Sequence, residues 1–394
     1  MTTNTEHLHY FDYAATTPAD PRVIAAMCDC LGVDGVFGNP ASSSHSAGTR
    51  ARALVERARR EVAALIGASA EEIVWTSGAT ESNNLALKGY VEGTESQPLP
   101  RAHLVTSELE HKAILDTAAS LERRGTPVTY VRPGADGAIT PAAVAAALRE
   151  DTGLVSLMLV NNEIGTLTDI AAIAALVHEA GALLHVDAAQ ALGKTPIDVK
   201  ALGIDFLSMS AHKVYGPKGI GALYVREGLA ARIAPQMHGG GHERGLRSGT
   251  LATHQIVGMG TACAIAATDM EADNARIARL AARLLEGVAG LPGITLNARE
   301  ARRIAHTLSL TIDHAGFFPF LLGPDFAVST TSACNSAAGT PSHVLMGIGL
   351  SAEAASRTIR LSLGRFTKPE DIDFAIAMLR EVVESLSPAT AQAV

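Results

Sequence analysis

A lysine and an aspartate lie in two motifs that together could hold an aromatic aldehyde cofactor. Lys213 lies in the Ser/His/Gly-rich segment Ser208–Gly219, and Asp187 ends an apolar run that begins at Ala182. A lysine amine reacts with an aldehyde, and a carboxylate pairs with a pyridine nitrogen. The hydroxyl, imidazole and backbone donors around Lys213 suit a phosphate. The pairing of the two motifs predicts a pyridoxal phosphate (PLP) site.

Three more polar positions come directly after predicted strands. Thr80 follows Gly78 where a strand turns into a helix, so its hydroxyl and amide could bind an anion, or it could simply cap the helix. His111 follows strand 103–106 and could stack on a ring or move protons, although a lone histidine is often structural. Asn162 follows strand 154–160 and could bind a carboxylate or a ring oxygen, or only form a turn.

The second half of the chain adds an anion-binding loop, an arginine and a cysteine. The segment His238–Thr250 has too many glycines for a regular element and could bring backbone amides close to an anion. Arg360 lies in an apolar, strand-like setting, so it needs an anion there, either a substrate α-carboxylate or an internal ion pair. Cys334 lies among small polar residues, a setting that suits a mobile, accessible thiol.

Short apolar strands that alternate with alanine-rich helices must position these residues. The predicted strands are 73–76, 103–106, 128–131, 154–160, 182–187 and 206–210. This alternation predicts an α/β fold with a mostly parallel, helix-covered sheet. A long helix is predicted from about Thr253 through Arg283, broken at Leu291-Pro292-Gly293, and a smaller α+β domain should follow it.

The length of 394 residues suits two domains. The predicted large, PLP-binding domain spans residues 16–261. The predicted small domain combines residues 1–15 with residues 262–394 and carries the cysteine loop.

Composition excludes several classes of function. A formal charge of −8 makes nucleic acid an unsuitable partner, and no apolar run is long enough to span a membrane. The polar first residues lack the apolar core of a signal peptide, so we expect a cytoplasmic protein. Four cysteines are too few for a disulfide scaffold of this size, and Cys28-Asp29-Cys30 has no partner pair at metal-ligand spacing, so no metal is expected.

Taken together, the motifs resemble those of the cysteine desulfurases, within the class V aminotransferase-like group of fold-type I PLP enzymes. The resemblance covers most of the chain and is strongest for the housekeeping branch that feeds iron–sulfur cluster assembly. The motifs that carry it are Phe11–Pro18, Gly38–Ser42, Ser77–Asn84, Glu110–Ala113, Ser210–Gly219, His238–Thr250 and Ser362–Phe366. The Arg-Gly-His-His-Cys setting of the other branch is absent.

The resemblance implies how the ring of the cofactor is held. Lys213 binds the cofactor covalently and later moves the Cα proton. Asp187 pairs with the pyridine nitrogen, and Gln190 bonds the phenolic oxygen. His111 stacks on the ring and takes part in proton transfer, and Asn162 also contacts the cofactor.

For the phosphate, the resemblance implies the segment around Ala79 and Thr80, together with Ser210 and His212. Thr250 reaches the same phosphate from the second subunit of a homodimer.

For the substrate, the resemblance implies that Asn162 and Arg360 bind the carboxylate of L-cysteine. Cys334 then attacks the substrate sulfur, which yields L-alanine and a persulfide that passes its outer sulfur to an acceptor protein.

Three features depart from the family pattern. Thr331 replaces an expected glycine and should stiffen the cysteine loop. Segment 315–325, with two prolines and three phenylalanines, replaces a regular helix. The sequence ends soon after Pro388, so we expect the tail by which the family contacts the scaffold protein to be missing, which leaves the acceptor open. The alternatives are a selenocysteine lyase or another class V enzyme, and a PLP-binding partner protein with an impaired cysteine loop.

Overall fold

The computed structural model describes residues 8–94, 101–330 and 341–386. The strands are β1 (His9–Tyr10), β2 (Ile73–Thr76), β3 (His103–Ser107), β4 (Val128–Val131), β5 (Thr152–Met158), β6 (Leu183–Asp187), β7 (Phe206–Ser210), β8 (Gly221–Val225), β9 (Ile294–Leu296), β10 (Thr307–Ile312), β11 (Phe326–Ala327), β12 (Ser329–Thr330) and β13 (Thr358–Ser362). The helices are α1 (Pro21–Cys28), α2 (Ser46–Leu65), α3 (Ala79–Thr94), α4 (Lys112–Arg123), α5 (Pro141–Ala147), α6 (Ile170–Glu179), α7 (Thr253–Val288), α8 (His343–Gly347), α9 (Ala352–Ser356) and α10 (Pro369–Leu386).

The central sheet has seven strands in the order β2-β8-β7-β6-β5-β3-β4. The pairings from β7 through β6, β5 and β3 to β4 are parallel, whereas β8 is antiparallel to both β7 and β2. The 211–220 connection between β7 and β8 is too short for a crossover helix, so the chain returns as a hairpin. The prediction of a mostly parallel, helix-covered sheet is confirmed.

The parallel strands carry their carboxyl ends to one edge of the sheet. The strands β3, β5, β6 and β7 are buried along nearly their whole length, as expected for a sheet covered on both faces. The segments that follow these strands therefore meet in one crevice, which is where open α/β sheets bind ligands.

A second, four-stranded sheet has the order β12-β13-β10-β9 and is antiparallel throughout. A separate apolar core lies against it, with contributions from α10 and from Phe11 near the N-terminus. The segment after β1 links the two sheets, because the carbonyl of Phe11 accepts from the backbone N–H of Ser362 in β13, and Thr17 donates its backbone N–H to the carbonyl of His212. Strand β1 itself pairs with β11 in a separate two-stranded parallel sheet.

Helix α7 contributes to both cores. Its first half buries Ile256 and Met259 in the core of the central sheet, and its second half buries Ile277 and Leu284 in the core of the small sheet. The helix begins at Thr253 and ends before Leu291, as predicted. The predicted domain division at residue 261 falls inside this helix and stays a prediction.

Segment 315–325 forms only one short 3₁₀ turn, Pro319–Leu322. Phe317 is buried, while Phe318 and Phe320 are exposed and stack on each other with ring centroids 5.7 Å apart. None of the helices in the described part of the chain is long and apolar enough to cross a membrane.

Candidate active site

A cavity of about 670 Å³ lies at the carboxyl ends of the parallel strands. Ten of the residues predicted from the sequence line it: Ala79, Thr80, His111, Asn162, Asp187, Gln190, Ser210, His212, Lys213 and Arg360. These residues come from six separate segments of the chain, and the topology of the sheet brings them together.

Asp187 lies at the end of β6 and is held by two donors. Its Oδ2 accepts from Asn83 Nδ2 at 2.8 Å, and its Oδ1 accepts from the backbone N–H of Ala189 at 2.9 Å. The carboxylate is only 4% exposed, and no basic side chain in the described residues forms an ion pair with it. A buried acceptor of this kind, at the cavity wall, fits a protonated ring nitrogen.

Lys213 ends a short 3₁₀ turn, Ala211–Lys213, that follows directly after β7. Strands β6 and β7 are adjacent, with Asp187 opposite Ser208 in the register, so the lysine and the aspartate enter the cavity from neighbouring strands. This is the arrangement that the sequence motifs predicted.

The N-terminus of α3 forms one end of the cavity. The first N–H groups of a helix have no acceptor inside the helix, and its dipole favours an anion. Gly78, with φ of 155°, turns the chain into the helix, and a Cβ on Gly221 of β8 would lie 2.6 Å from the Gly78 Cα. Only glycine allows this close approach, which places the helix end beside Ser210.

His212 lies at the same end of the cavity. Burial lowers its pKa to about 4, with the charge of Lys213 acting in the same direction, so the imidazole is neutral near pH 7. Its Nδ1 is 3.2 Å from the hydroxyl of Thr16. Helix N–H groups, a serine hydroxyl and an imidazole together suit a phosphate.

His111 is the N-cap of α4, and this contact fixes its tautomer. Its Nδ1 accepts from the backbone N–H of Ala113 at 3.1 Å, so the neutral ring carries its proton on Nε2. Burial, assisted by the charge of Lys213, lowers the pKa of His111. The adjacent Glu110 is fully buried and accepts from Ser107 Oγ at 2.6 Å, and burial raises the pKa of Glu110 to about 8.

Gln190 lies in the turn after β6. Its Nε2 donates to the carbonyl of Ala14 at 2.7 Å, and its Oε1 accepts from Nζ of the buried Lys194 at 2.8 Å. Since Nε2 carries two hydrogens, one remains for a group in the cavity.

Arg360 has an internal ion pair and also an unused donor. Its Nη2 donates to Asp12 Oδ1 and its Nη1 to the carbonyl of Asn162, both at 2.8 Å. The internal ion pair, one of the two readings left open by the sequence, is therefore present. The buried Nε of Arg360 and Oδ1 of Asn162 nevertheless have no partner among the described residues. Unpaired buried polar atoms at a cavity wall are available to hydrogen-bond a ligand.

One predicted site residue that the structure describes does not line this cavity. Thr250 is exposed and does not line the cavity of its own chain. Cys334 and Thr331 lie outside the described residues. Of the described cysteines, Cys28 is exposed, whereas Cys30 and Cys263 are buried. The described part of the chain contains no group of three or more His, Cys, Asp or Glu side chains suited to a metal.

Sequence reasoning missed the contributions of Asn83, Asp12 and Lys218, which also line the cavity. The signal for Asn83 was its position three residues after Thr80 on a helix, which places both on the same face. Asp12 and Lys218 lay inside quoted motifs, but nothing in the sequence showed which way their side chains point.

The residues present fit PLP. A lysine amine, a buried carboxylate with no ion-pair partner in the described residues, and an anion-binding helix end share one cavity.

Comparisons with known proteins agree with this fit. The family described as Aminotransferase class-V matches residues 9–374. "Cysteine desulfurase IscS" of Azotobacter vinelandii is 54% identical over 378 residues, which cover 96% of this chain and 93% of that protein.

Solved structures agree as well. A "NIFS-LIKE PROTEIN" superposes with a TM-score of 0.87 at 35% identity, covering 96% of this chain and 99% of that chain. "SspA in complex with cysteine" superposes with a TM-score of 0.81 at 39% identity, covering 91% of this chain and 99% of that chain. The chain therefore belongs to the class V aminotransferase family and, within it, to the PLP-dependent cysteine desulfurases.

Proposed function

We propose that this protein converts L-cysteine to L-alanine and carries the released sulfur as a persulfide on Cys334. The observation that carries the proposal is the convergence of Lys213, Asp187 and the unpartnered Nε of Arg360 on one cavity. Bound PLP supplies an electron sink that weakens the bonds of the substrate at Cα and Cβ.

Asp187 is the proposed partner of the ring nitrogen, and Asn83 holds its carboxylate in place. Lys213 is the proposed covalent attachment point for PLP. Its amine would also act as the base that takes the Cα proton of the substrate. Gln190 directs its second Nε2 hydrogen at the phenolic oxygen.

His111 is proposed to stack on the ring and to give its Nε2 proton during turnover. The lowered pKa of His111 supports this role, because a neutral imidazole can both give and receive a proton near pH 7.

The phosphate is proposed to bind the N-terminus of α3 through Ala79 and Thr80, and also Ser210 and His212. We propose a homodimer in which Thr250 of one subunit completes this site in the other. The exposure of Thr250, and its absence from the cavity of its own chain, support that arrangement.

Arg360 is proposed to bind the substrate carboxylate through its Nε, which has no partner among the described residues, and Asn162 through the hydrogens of its side-chain amide nitrogen. The Cys334 thiolate then attacks the substrate sulfur. An S–S bond forms, the Cβ–S bond breaks, and its electron pair stays on the carbon that becomes the methyl group of alanine. A thiolate is needed because a thiol is a poor nucleophile.

The similarity to a structure solved with cysteine supports cysteine as the substrate. The proposed acceptor is a scaffold or carrier protein of iron–sulfur cluster assembly or of thiolation, and the IscS relatives support the first. The proposed location is the cytoplasm, where thiols stay reduced. The proposed division into a large domain of residues 16–261 and a small domain of residues 1–15 and 262–394 places Cys334 on the small domain.

Brief exposure to L-cysteine, followed by mass spectrometry of peptides, tests the proposal. We expect one added sulfur atom on Cys334 and the formation of L-alanine. The Cys334→Ala variant should keep its yellow colour and lose the persulfide, while the matched Cys28→Ala variant, at an exposed cysteine, should keep both. Persulfide formation at wild-type level in the Cys334→Ala protein would contradict the assignment.

A further inference from the structure

Lys194 is a buried lysine directly behind the wall of the cavity. The residue is 7% exposed, and its Nζ donates to Gln190 Oε1 at 2.8 Å. Gln190 and Ala14 line the cavity, whereas Lys194 does not. Within residues 8–94, 101–330 and 341–386, Gln190 Oε1 is the one hydrogen-bond acceptor of Lys194 Nζ, and no carboxylate lies within ion-pair distance of it.

Packing does not explain why this position is a lysine. Burial, with the charges of Lys213 and Arg360 acting in the same direction, lowers the pKa of Lys194 to about 7. Its charge also lowers the pKa values of His212 and His306, so these four groups are cations or imidazoles. Burying an ammonium without a carboxylate is costly, and a methionine would fill the same space with less penalty.

The contact with Lys194 decides which way the Gln190 amide faces. The ammonium form of Lys194 only donates and its neutral amine can still donate, so the oxygen of the amide on its side satisfies both forms. The Nε2 group then lies on the side of Ala14, whose carbonyl accepts one of its two hydrogens at 2.7 Å. With the amide reversed, Nε2 would face the Lys194 ammonium and Oε1 would face the Ala14 carbonyl, and both contacts would be repulsive.

The backbone of Lys194 is itself anchored. Its carbonyl accepts from Asn274 Nδ2 on α7 at 2.9 Å, so the lysine, Gln190 and the long helix form one connected set of hydrogen bonds. The orientation of the amide is therefore set from outside the cavity.

We propose that Lys194 is a positioning residue that keeps a hydrogen of Gln190 Nε2 directed at the phenolic oxygen of PLP. The inference rests on the proposed contact between Gln190 and that oxygen. A donor there withdraws charge from the oxygen, which lowers the pKa of the lysine-bound cofactor. When the amide is free to turn, the donor is lost for part of the time and the pKa rises.

The test is a pH titration of the absorption spectrum of the purified holoenzyme, without substrate. We expect Lys194→Met to move the midpoint of the colour change upward by about 1 pH unit. Lys194→Gln, which keeps a donor on a shorter side chain, should give a smaller shift. Lys200→Met, at an exposed lysine nearby, should leave the midpoint unchanged.

A double-mutant cycle separates positioning from a direct effect of charge. If Lys194 acts through Gln190, the Lys194→Met/Gln190→Leu protein should have the same midpoint as Gln190→Leu alone. An extra shift in the double variant would show that the lysine charge acts directly on the cofactor, which overturns the positioning role.

The same titrations test the proposed contact of Gln190 separately from the proposed role of Lys194. If Gln190→Leu has the same midpoint as the wild-type protein, the proposed contact of Gln190 with the phenolic oxygen is refuted. A shift in Gln190→Leu with none in either Lys194 variant would leave that contact standing and refute the inference about Lys194.

Discussion

Replacing Arg360 with lysine keeps the positive charge but removes the guanidinium that should bind the substrate carboxylate. In the structure, Nη1 and Nη2 are engaged by the Asn162 carbonyl and by Asp12, and Nε has no partner among the described residues. A lysine has one nitrogen for all of these acceptors, so the substrate loses at least one charge-assisted hydrogen bond. Such a bond contributes about 1.5–3 kcal/mol, which corresponds to roughly 10- to 100-fold weaker binding.

The assay compares two ligands that differ only in the carboxylate. Dissociation constants for L-alanine and for ethylamine are measured from the change in cofactor absorption. Arg360→Lys should weaken L-alanine binding by about 10- to 100-fold and leave ethylamine binding nearly unchanged. Asp12→Asn is the matched control, because it breaks the internal ion pair and leaves the arginine in place.

An equal loss of affinity for both ligands would show that Arg360 only maintains the shape of the cavity. If Asp12→Asn weakened L-alanine binding as much as Arg360→Lys does, loss of the internal ion pair alone would explain the effect of replacing the arginine. Either result refutes the carboxylate role.

Three further predictions concern residues that support the site or stabilise the fold around it. Asn83→Ala removes the 2.8 Å bond to Asp187 and should weaken PLP retention by about tenfold, as measured by equilibrium dialysis. Burial lowers the pKa of His185 from 6.5 to about 4, so the unfolded chain binds a proton that the folded chain does not. The free energy of unfolding should therefore fall as the pH drops from 6.5 to 4, by on the order of 3 kcal/mol, and His185→Gln should flatten that slope in denaturant titrations. Glu243→Gln breaks the buried pair with Arg59, whose N···O distance is 2.7 Å, and should destabilise the protein by about 3–5 kcal/mol; an unchanged Tm would contradict this.

The central strands were predictable because each is a continuous apolar run bounded by turn residues. The strand predicted over 154–160 ends at Met158, since the chain turns after Val160, and Leu167 and Thr168 return to pair with Val160 and Leu159. Strand β8 was not predicted, and its antiparallel pairing follows from the short connection after β7.

The candidate site was predictable where its residues directly follow strands, as Asp187 and Lys213 do. Supporting contacts between distant segments were not predictable. Glu243 pairs with Arg59 and accepts from the backbone N–H of Trp75, although it lies 184 and 168 residues away from them. Its φ of 50° is unusual for a residue other than glycine, and only these contacts explain how the loop holds it.

The most direct test of the account is to find which amine holds the cofactor. Three lysines lie in or beside the cavity: Lys213 and Lys218 line it, and Lys194 lies behind Gln190. Reduction of the holoenzyme with borohydride, followed by peptide mapping, should place the pyridoxyl group on Lys213 alone. A pyridoxyl group on Lys218 or Lys194, or a protein that takes up no PLP, would contradict the account.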